Sequence, residues 1–475
     1  MSRAFAAVDL GATSGRVIVG RVADGLLRTT HLARFGNDPV RTRDGLHWNV
    51  LELYRQLLLG LAAAERDAPG EIASVGIDSW AVDYGLMRGG RLLGMPFHYR
   101  DARNEAGVAA VHDIVGPADL YQRNGLQHLP FNTLFQLAAE GDLLGMADRM
   151  LLIPDLLTYW LTGAEVAERT NASTTGLLDP GTREWDVRLA EELGIPSRIL
   201  PPLVDPGTTL GALDPAAALS VGRALEVVAV GSHDTASAVV AIPNPGGQFA
   251  YISCGTWGLV GLELDRPVLT EDARLANFTN EGGVDGRTRF LHNVMGLWLL
   301  SESLRHWEPG ATDAQRSSLL SELLEQAGRV RGPVPVFDAD DSVFLPPGDI
   351  PGRIRAWCRQ HEQPVPQGRD EIVRSIVESL AAAFATTVEQ AAVLADVEIH
   401  VIHIVGGGAQ NTLLCQATAN RTGLPVVAGP VEATAMGNLL VQARAAGEVA
   451  PDLGELRAVV ARSAPVARYA PERTG

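Results

Sequence analysis

A chain of 475 residues, 46% hydrophobic and 20% charged, is long enough for two or three domains that each bury a core. Its net charge of −17, from 56 acidic and 39 basic residues, argues against nucleic acid and against an anionic membrane surface as partners. Every basic residue is arginine, which excludes a Walker A loop, the strand lysine of protein kinases and Schiff-base chemistry on lysine, so any phosphate must be held by backbone N–H groups, arginine and metal.

Residues 4–10 (AFAAVDL) read as a buried strand. A turn of small residues, Gly11-Ala12-Thr13-Ser14-Gly15, leads to a second strand from about Arg16 to Val22. Strand, turn, strand is a hairpin, not the strand–loop–helix of a dinucleotide fold. A helix near Val50–Ala64 and a strand at Ile72–Asp78 continue an α/β pattern, and Leu225–Val230 is a further apolar strand. Ile242-Pro-Asn-Pro-Gly-Gly-Gln248 is the best linker and divides the chain into domains at 1–242 and 243–475. The second half opens as the first does: a strand Phe249–Ser253, the turn Cys254-Gly255-Thr256, and a strand through Leu264. A long helix spans Glu371–Leu394, with Asp370 as its cap and Ile372, Ile376, Leu380 and Phe384 on one face. A strand His400–Val405, the turn Gly406-Gly407-Gly408 and a helix to about Thr422 follow. Residues 201–206 and 331–335 read as surface loops. Three scattered cysteines without a C-x-x-C, no signal-peptide layout and no apolar run near membrane length point to a reduced, cytoplasmic protein.

Five segments carry chemistry. In the first hairpin, Gly, Thr and Ser let backbone N–H groups close on phosphate oxygens; Asp9 is placed to hold Mg²⁺ through water, and Arg16 supplies fixed charge. A plain glycine-rich hairpin fits the same residues. In Gly231-Ser-His-Asp-Thr-Ala-Ser237, Asp234 at a strand end suits a general base; its bland alternative is a helix N-cap. Three adjacent residues cannot form a Ser-His-Asp relay. Ser253–Trp257 reads as a second phosphate clasp with Thr256 donating, or as a tight turn. The glycines around Gly407 suit a flat adenosine, or a simple strand-to-helix turn. Asp78, Trp80, Asp83 and the arginines of Tyr99–Arg103 have the composition of a sugar-pocket lining, or of a strand end beside a core tryptophan. Thr279–Gly283 and His292-Asn293 add polar candidates.

In order, VDLGATSGRV, GIDSWAVDYGLM, YRDARN, LPFNTLFQL, TNASTTGLLDP, GSHDTASAV, YISCGTWGLVG, NFTNEGGVDGR, NVMGLWLL, HIVGGGAQNTLL and AGPVEATAMGN resemble the FGGY carbohydrate kinases, from about residue 5 to about residue 440. The resemblance implies an α/β fold of two actin-like (ribonuclease H-like) ATPase domains with an interdomain cleft, and an enzyme that uses ATP and Mg²⁺ to phosphorylate a small sugar. LPFNTLFQL and the His-Asp-Thr triplet are similar to the branch that acts on L-rhamnulose; L-fuculose and L-xylulose are the alternatives. The resemblance makes Ala12, Thr13, Ser14, Gly15 and Arg16 the first phosphate loop, with Thr256 and Gly407 as further ATP contacts. It makes Asp234 the base, and Ala81, His233, Thr235 and Asn293 substrate contacts. Two residues depart from the pattern: Ala81 stands where the family has glycine, and Ser301 where it places glutamine near ATP. A non-catalytic sensor or a polymerising ATPase of the same fold are the rival classes. A monomer or small homo-oligomer is expected.

Overall fold

The strand Ala4–Leu10 is buried along its whole length because it is central to its sheet. It pairs antiparallel with Ser14–Ala23 and parallel with Ile72–Ser79, which explains its unbroken apolar run up to Asp9. The computed structural model describes residues 3–244 and 246–472, so Pro245 of the expected linker lies outside the described residues. The chain forms two units. The first comprises residues up to Gly246 together with Glu263–Phe290 and Ala433–Ala464. The second comprises Gly247–Leu262, Leu291–Glu432 and the residues from Pro465. Residues 263–290 and 433–464 thus join the first unit although they follow the linker in sequence.

In the first unit the sheet order is Thr209–Ala212, Glu226–Val228, Ile72–Ser79, Ala4–Leu10, Ser14–Ala23, Leu26–Gly36. The three middle strands Glu226–Val228, Ile72–Ser79 and Ala4–Leu10 are parallel, and the flanking pairings are antiparallel. The helix Val50–Asp67 covers one face with Leu53, Leu57 and Leu61, each fully buried. The other sheet has seven strands in the order Thr279–Gly282, Thr288–Met295, Trp257–Leu264, Ala250–Cys254, Ile402–Val405, Val426–Ala428, Ala467–Tyr469, of which the last four lie wholly in the second unit. Ala250–Cys254 pairs antiparallel with its hairpin partner, parallel with Ile402–Val405 and through it with Val426–Ala428, and an antiparallel strand closes the edge. Each sheet therefore carries an antiparallel hairpin, two further parallel strands and an antiparallel edge. This is the repeated topology of actin-like ATPase domains.

The long helix runs over Arg369–Ala395, and its apolar face at Ile372, Ile376, Leu380 and Phe384 is buried in the second unit. It is long and apolar enough by composition to cross a membrane, but half of its most apolar window is buried. The expected cap is corrected: Gly368, not Asp370, is the N-cap. The helix starts one residue before Asp370, which leaves that carboxylate in the first turn, where it still favours the positive helix end.

Candidate active site

Parallel strands bring their carboxyl ends to one edge, where ligands of open α/β sheets bind. In the first unit that edge gathers the predicted acids. Asp9 lies opposite Asp78 across the parallel pair and opposite Arg16 across the hairpin. Arg16 Nη2 is 2.7 Å from Asp9 Oδ2, and its Nε donates to the same oxygen at 3.0 Å. Ser79 bridges to His233, so Asp234 follows directly at the neighbouring strand end. Burial pushes the Asp78 carboxyl well above the usual range; the charges of Asp9 and then Asp234 push the same way, against the Asn438 hydrogen bond and Arg16. Asp78 thus feels both of the other acids.

Asp234 is the first residue of the helix Asp234–Val240, and His233 is its N-cap. The carboxylate is therefore not consumed in capping. It accepts from Thr235 Oγ1 at 3.0 Å, lies 3.4 Å from His233 Nε2 and keeps 30% of its side-chain surface exposed, whereas His233 and Thr235 are buried. Buried groups hold this segment from behind. Glu168 accepts from Ser232 N and Oγ, both at 2.9 Å, and from Thr170 N and Oγ1. Burial raises the Glu168 carboxyl, and these bonds oppose the shift. Thr170 Oγ1 accepts from His233 N at 3.3 Å. On the other side the helix Ala433–Ala445 comes so close that a Cβ at Gly437 would meet Ser237 O at 1.8 Å. Sequence reasoning missed Glu168, Arg289 and Gly437. TNASTTGLLDP and AGPVEATAMGN were visible as motifs, but nothing local says that they brace the His233–Asp234 turn. Asn171 is fully buried, so its N-x-S triplet is no surface glycosylation site.

The first hairpin is a tight turn: Gly11 N donates to Ser14 O, and Asn37 Nδ2 to Gly11 O, both at 2.9 Å. Thr13 is exposed, and Ala12, Ser14 and Arg16 are half-buried. Gly15 is buried, and a Cβ there would strike the Phe35 ring at 2.3 Å, so packing alone demands this glycine. The reading of Asp78, Trp80 and Asp83 as a sugar lining is corrected. All three are buried, and Trp80 packs on Trp48 at 4.1 Å. Asp83 accepts from Trp48 Nε1, Trp80 Nε1, Tyr99 N and Gln136 Nε2. Arg103 pairs with Glu140 at 3.0 Å and lies over the Phe97 ring. These groups brace the segment that presents half-buried Ala81. The next residue, Val82, has φ +69°, a strained value for a β-branched side chain, and its carbonyl is held by Thr133 Oγ1 at 2.6 Å.

The second unit builds its own cluster. Leu297 N donates to Gly255 O, and Trp298 N to Thr256 O, which ties the second hairpin tip to the helix Trp298–Trp307. A Cβ on Gly408 would lie 2.4 Å from Cys254 Sγ, and Gly406 has φ +78°. Gly407 is exposed with no atom nearer than 3.8 Å to a Cβ. The glycine turn and the Thr256 hairpin thus meet at Cys254, whose thiol burial pushes up to about 12. Asn293 is half-buried on the strand Thr288–Met295; its neighbour His292 lies 3.8 Å from Asp340.

Residues 4–241 match the N-terminal domain, and residues 250–446 the C-terminal domain, of the FGGY family of carbohydrate kinases. The chain belongs to the FGGY family of carbohydrate kinases. It is similar to the rhamnulokinase of Bacteroides thetaiotaomicron (39% identity; 99% of this chain, 96% of that one). The rhamnulokinase of Pectobacterium carotovorum is 42% identical over 98% of this chain and 92% of its own. Among solved structures, the fold is shared with a xylulose kinase from Lactobacillus acidophilus (TM-score 0.78, 16% identity, 99% and 94% covered). It is shared too with Plasmodium falciparum glycerol kinase with ADP (TM-score 0.75, 15% identity, 98% and 94% covered).

FGGY kinases use ATP with Mg²⁺, and the residues present fit both. A kinase Mg²⁺ is usually held by one or two carboxylates plus substrate phosphates, not by a protein cage. Among the described residues no cluster of three or more His, Cys, Asp or Glu could hold a metal alone. Asp9 would supply such a carboxylate, next to Asp78 across the parallel pair, whose Oδ1 is buried with no hydrogen-bond partner.

Proposed function

We propose that this carbohydrate kinase transfers the γ-phosphoryl group of ATP to the terminal hydroxyl of L-rhamnulose, giving L-rhamnulose 1-phosphate. The observation that carries the chemistry is Asp234: a carboxylate at a helix N-terminus, not used as a cap, partly exposed among buried neighbours and beside Asp9 and Asp78. The substrate rests on the full-length similarity to rhamnulokinases.

Phosphoryl transfer has a loose transition state, so positioning and charge neutralisation supply most of the catalysis. Asp234 accepts the proton of the sugar hydroxyl as its oxygen bonds to the γ-phosphorus and the bond to the departing ADP breaks. His233, Thr235, Asn293 and Ala81 line the sugar. Ala12, Thr13, Ser14, Gly15 and Arg16, with Thr256 and Gly407, hold the nucleotide. Mg²⁺, when bound near Asp9, neutralises charge on the phosphates. Three buried free thiols suit a reducing compartment, and we place the protein in the cytoplasm.

Coupled-assay turnover with L-rhamnulose, L-fuculose, L-xylulose, D-xylulose and glycerol tests this reading. L-Rhamnulose is expected to give the highest kcat/KM. Preference for another ketose would replace the substrate, and no turnover with any would favour a sensor.

A further inference from the structure

His233 is pinned by a buried ion pair in the first unit that the phosphoryl-transfer chemistry does not itself require. Arg289 is fully buried on the strand Thr288–Met295, and its Nε donates to Gly282 O at 2.9 Å. Its Nη2 lies 2.9 Å from His233 Nδ1 and 3.1 Å from Glu281 Oε2, and Glu281 Oε2 is itself 3.3 Å from His233 Nδ1. A guanidinium nitrogen can only donate, and the Nη2 hydrogen bond goes to His233, while Glu281 Oε2 is held by charge and accepts no hydrogen bond. His233 Nδ1 must then accept. The ring proton is left on Nε2, which faces Asp234 Oδ1 at 3.4 Å. Burial alone would raise the Glu281 carboxyl, but the Arg289 charge holds it below the usual range, so it stays an anion beside the guanidinium.

We infer that Arg289 and Glu281 are positioning residues that fix His233 with its proton on Nε2, so that the ring orients the carboxylate of Asp234. This rests on the reading of Asp234 as the base. Thr235 and His233 both address Oδ1, which leaves Oδ2 as the atom that takes the alcohol proton. Arg289 has a second part: it occupies Glu281, which would otherwise draw a proton onto Nδ1. With Nδ1 protonated, Nε2 either turns a lone pair on Asp234 or becomes part of an imidazolium that weakens the base.

The test is the ¹⁵N spectrum of the full-length protein labelled at histidine, with the His233 signals assigned by their loss in His233→Gln. The wild type is expected to show a protonated Nε2 and a bare Nδ1 at neutral pH. A protonated Nδ1 in the wild type overturns the inference without any further variant. In Arg289→Met, Nδ1 is expected to gain a proton, and kcat to fall by more than about ten-fold while KM for ATP changes less than about two-fold. A folded Arg289→Met with Nδ1 still bare, or with unchanged kcat, overturns it. Should Arg289→Met fail to fold, the wild-type spectrum decides. Turnover that survives Asp234→Asn would remove the base, yet leave the tautomer result standing, so the two failures are distinguishable.

Discussion

Asn438, on the helix Ala433–Ala445, donates from Nδ2 to Asp78 Oδ2 at 2.5 Å, at the end of the strand Ile72–Ser79. Gln442, one turn on, donates to Asn438 Oδ1 at 2.6 Å and to Ala6 O at 3.0 Å, and accepts from Ser74 Oγ at 2.7 Å. A late helix is thereby stitched to the two strands that carry Asp9 and Asp78. Gly76 belongs to the same contact, because a Cβ there would lie 2.6 Å from Asn438 Oδ1. Asn438→Leu leaves Asp78 buried without its donor. It is expected to lower stability by about 1–3 kcal/mol in urea unfolding. Unaltered stability would show that the bond contributes little.

Within the three glycines of residues 406–408, packing can be separated from the proposed nucleotide contact. Gly408→Ala forces a Cβ into Cys254 and is expected to cost about 1–3 kcal/mol of stability. Gly407→Ala meets no such obstruction. It should leave the melting temperature unchanged and raise KM for ATP, measured at saturating sugar.

Asp83 gives a pH dependence with a definite sign. Burial raises its carboxyl from 3.8 to about 6, against the hydrogen bonds from Gln136, Trp48, Trp80 and Tyr99. The folded-state value exceeds the unfolded one. Its contribution is therefore fully present below pH 3.8 and is lost as pH rises through about 6. At about 1.4 kcal/mol per unit the loss is about 3 kcal/mol. Urea unfolding from pH 4 to 7 should show this decline in the wild type and not in Asp83→Asn.

Much of the site was legible because strand ends and hairpin tips are local. The run AFAAVDL followed by small residues placed Asp9 at a strand end, and the apolar strand before Gly231 did the same for Asp234. What escaped was long-range. Glu168 meets Ser232 across 64 residues, and Arg289 meets His233 across 56. A charged residue directly before the apolar pair Phe290-Leu291 was the one available signal for Arg289. Asp83 beside Trp80 looked like a sugar platform because its deciding partner, Trp48, lies 35 residues upstream. The packing demand on Gly15 escaped in the same way, because Phe35 lies on the strand Leu26–Gly36.

Glu168 should matter for turnover through Ser232 and His233. Glu168→Gln replaces one acceptor oxygen with an NH₂ that faces N–H and O–H donors. The displaced turn is expected to lower kcat by roughly 10- to 100-fold while KM for ATP holds. A loss confined to KM for ATP would contradict that role.

The measurement that bears most directly on the whole account is steady-state turnover of Asp234→Asn with L-rhamnulose and ATP, alongside the binding of each by calorimetry. The carboxylate reading predicts that kcat falls by roughly 10²- to 10⁴-fold while both ligands still bind. A kcat within a few-fold of the wild type would contradict it.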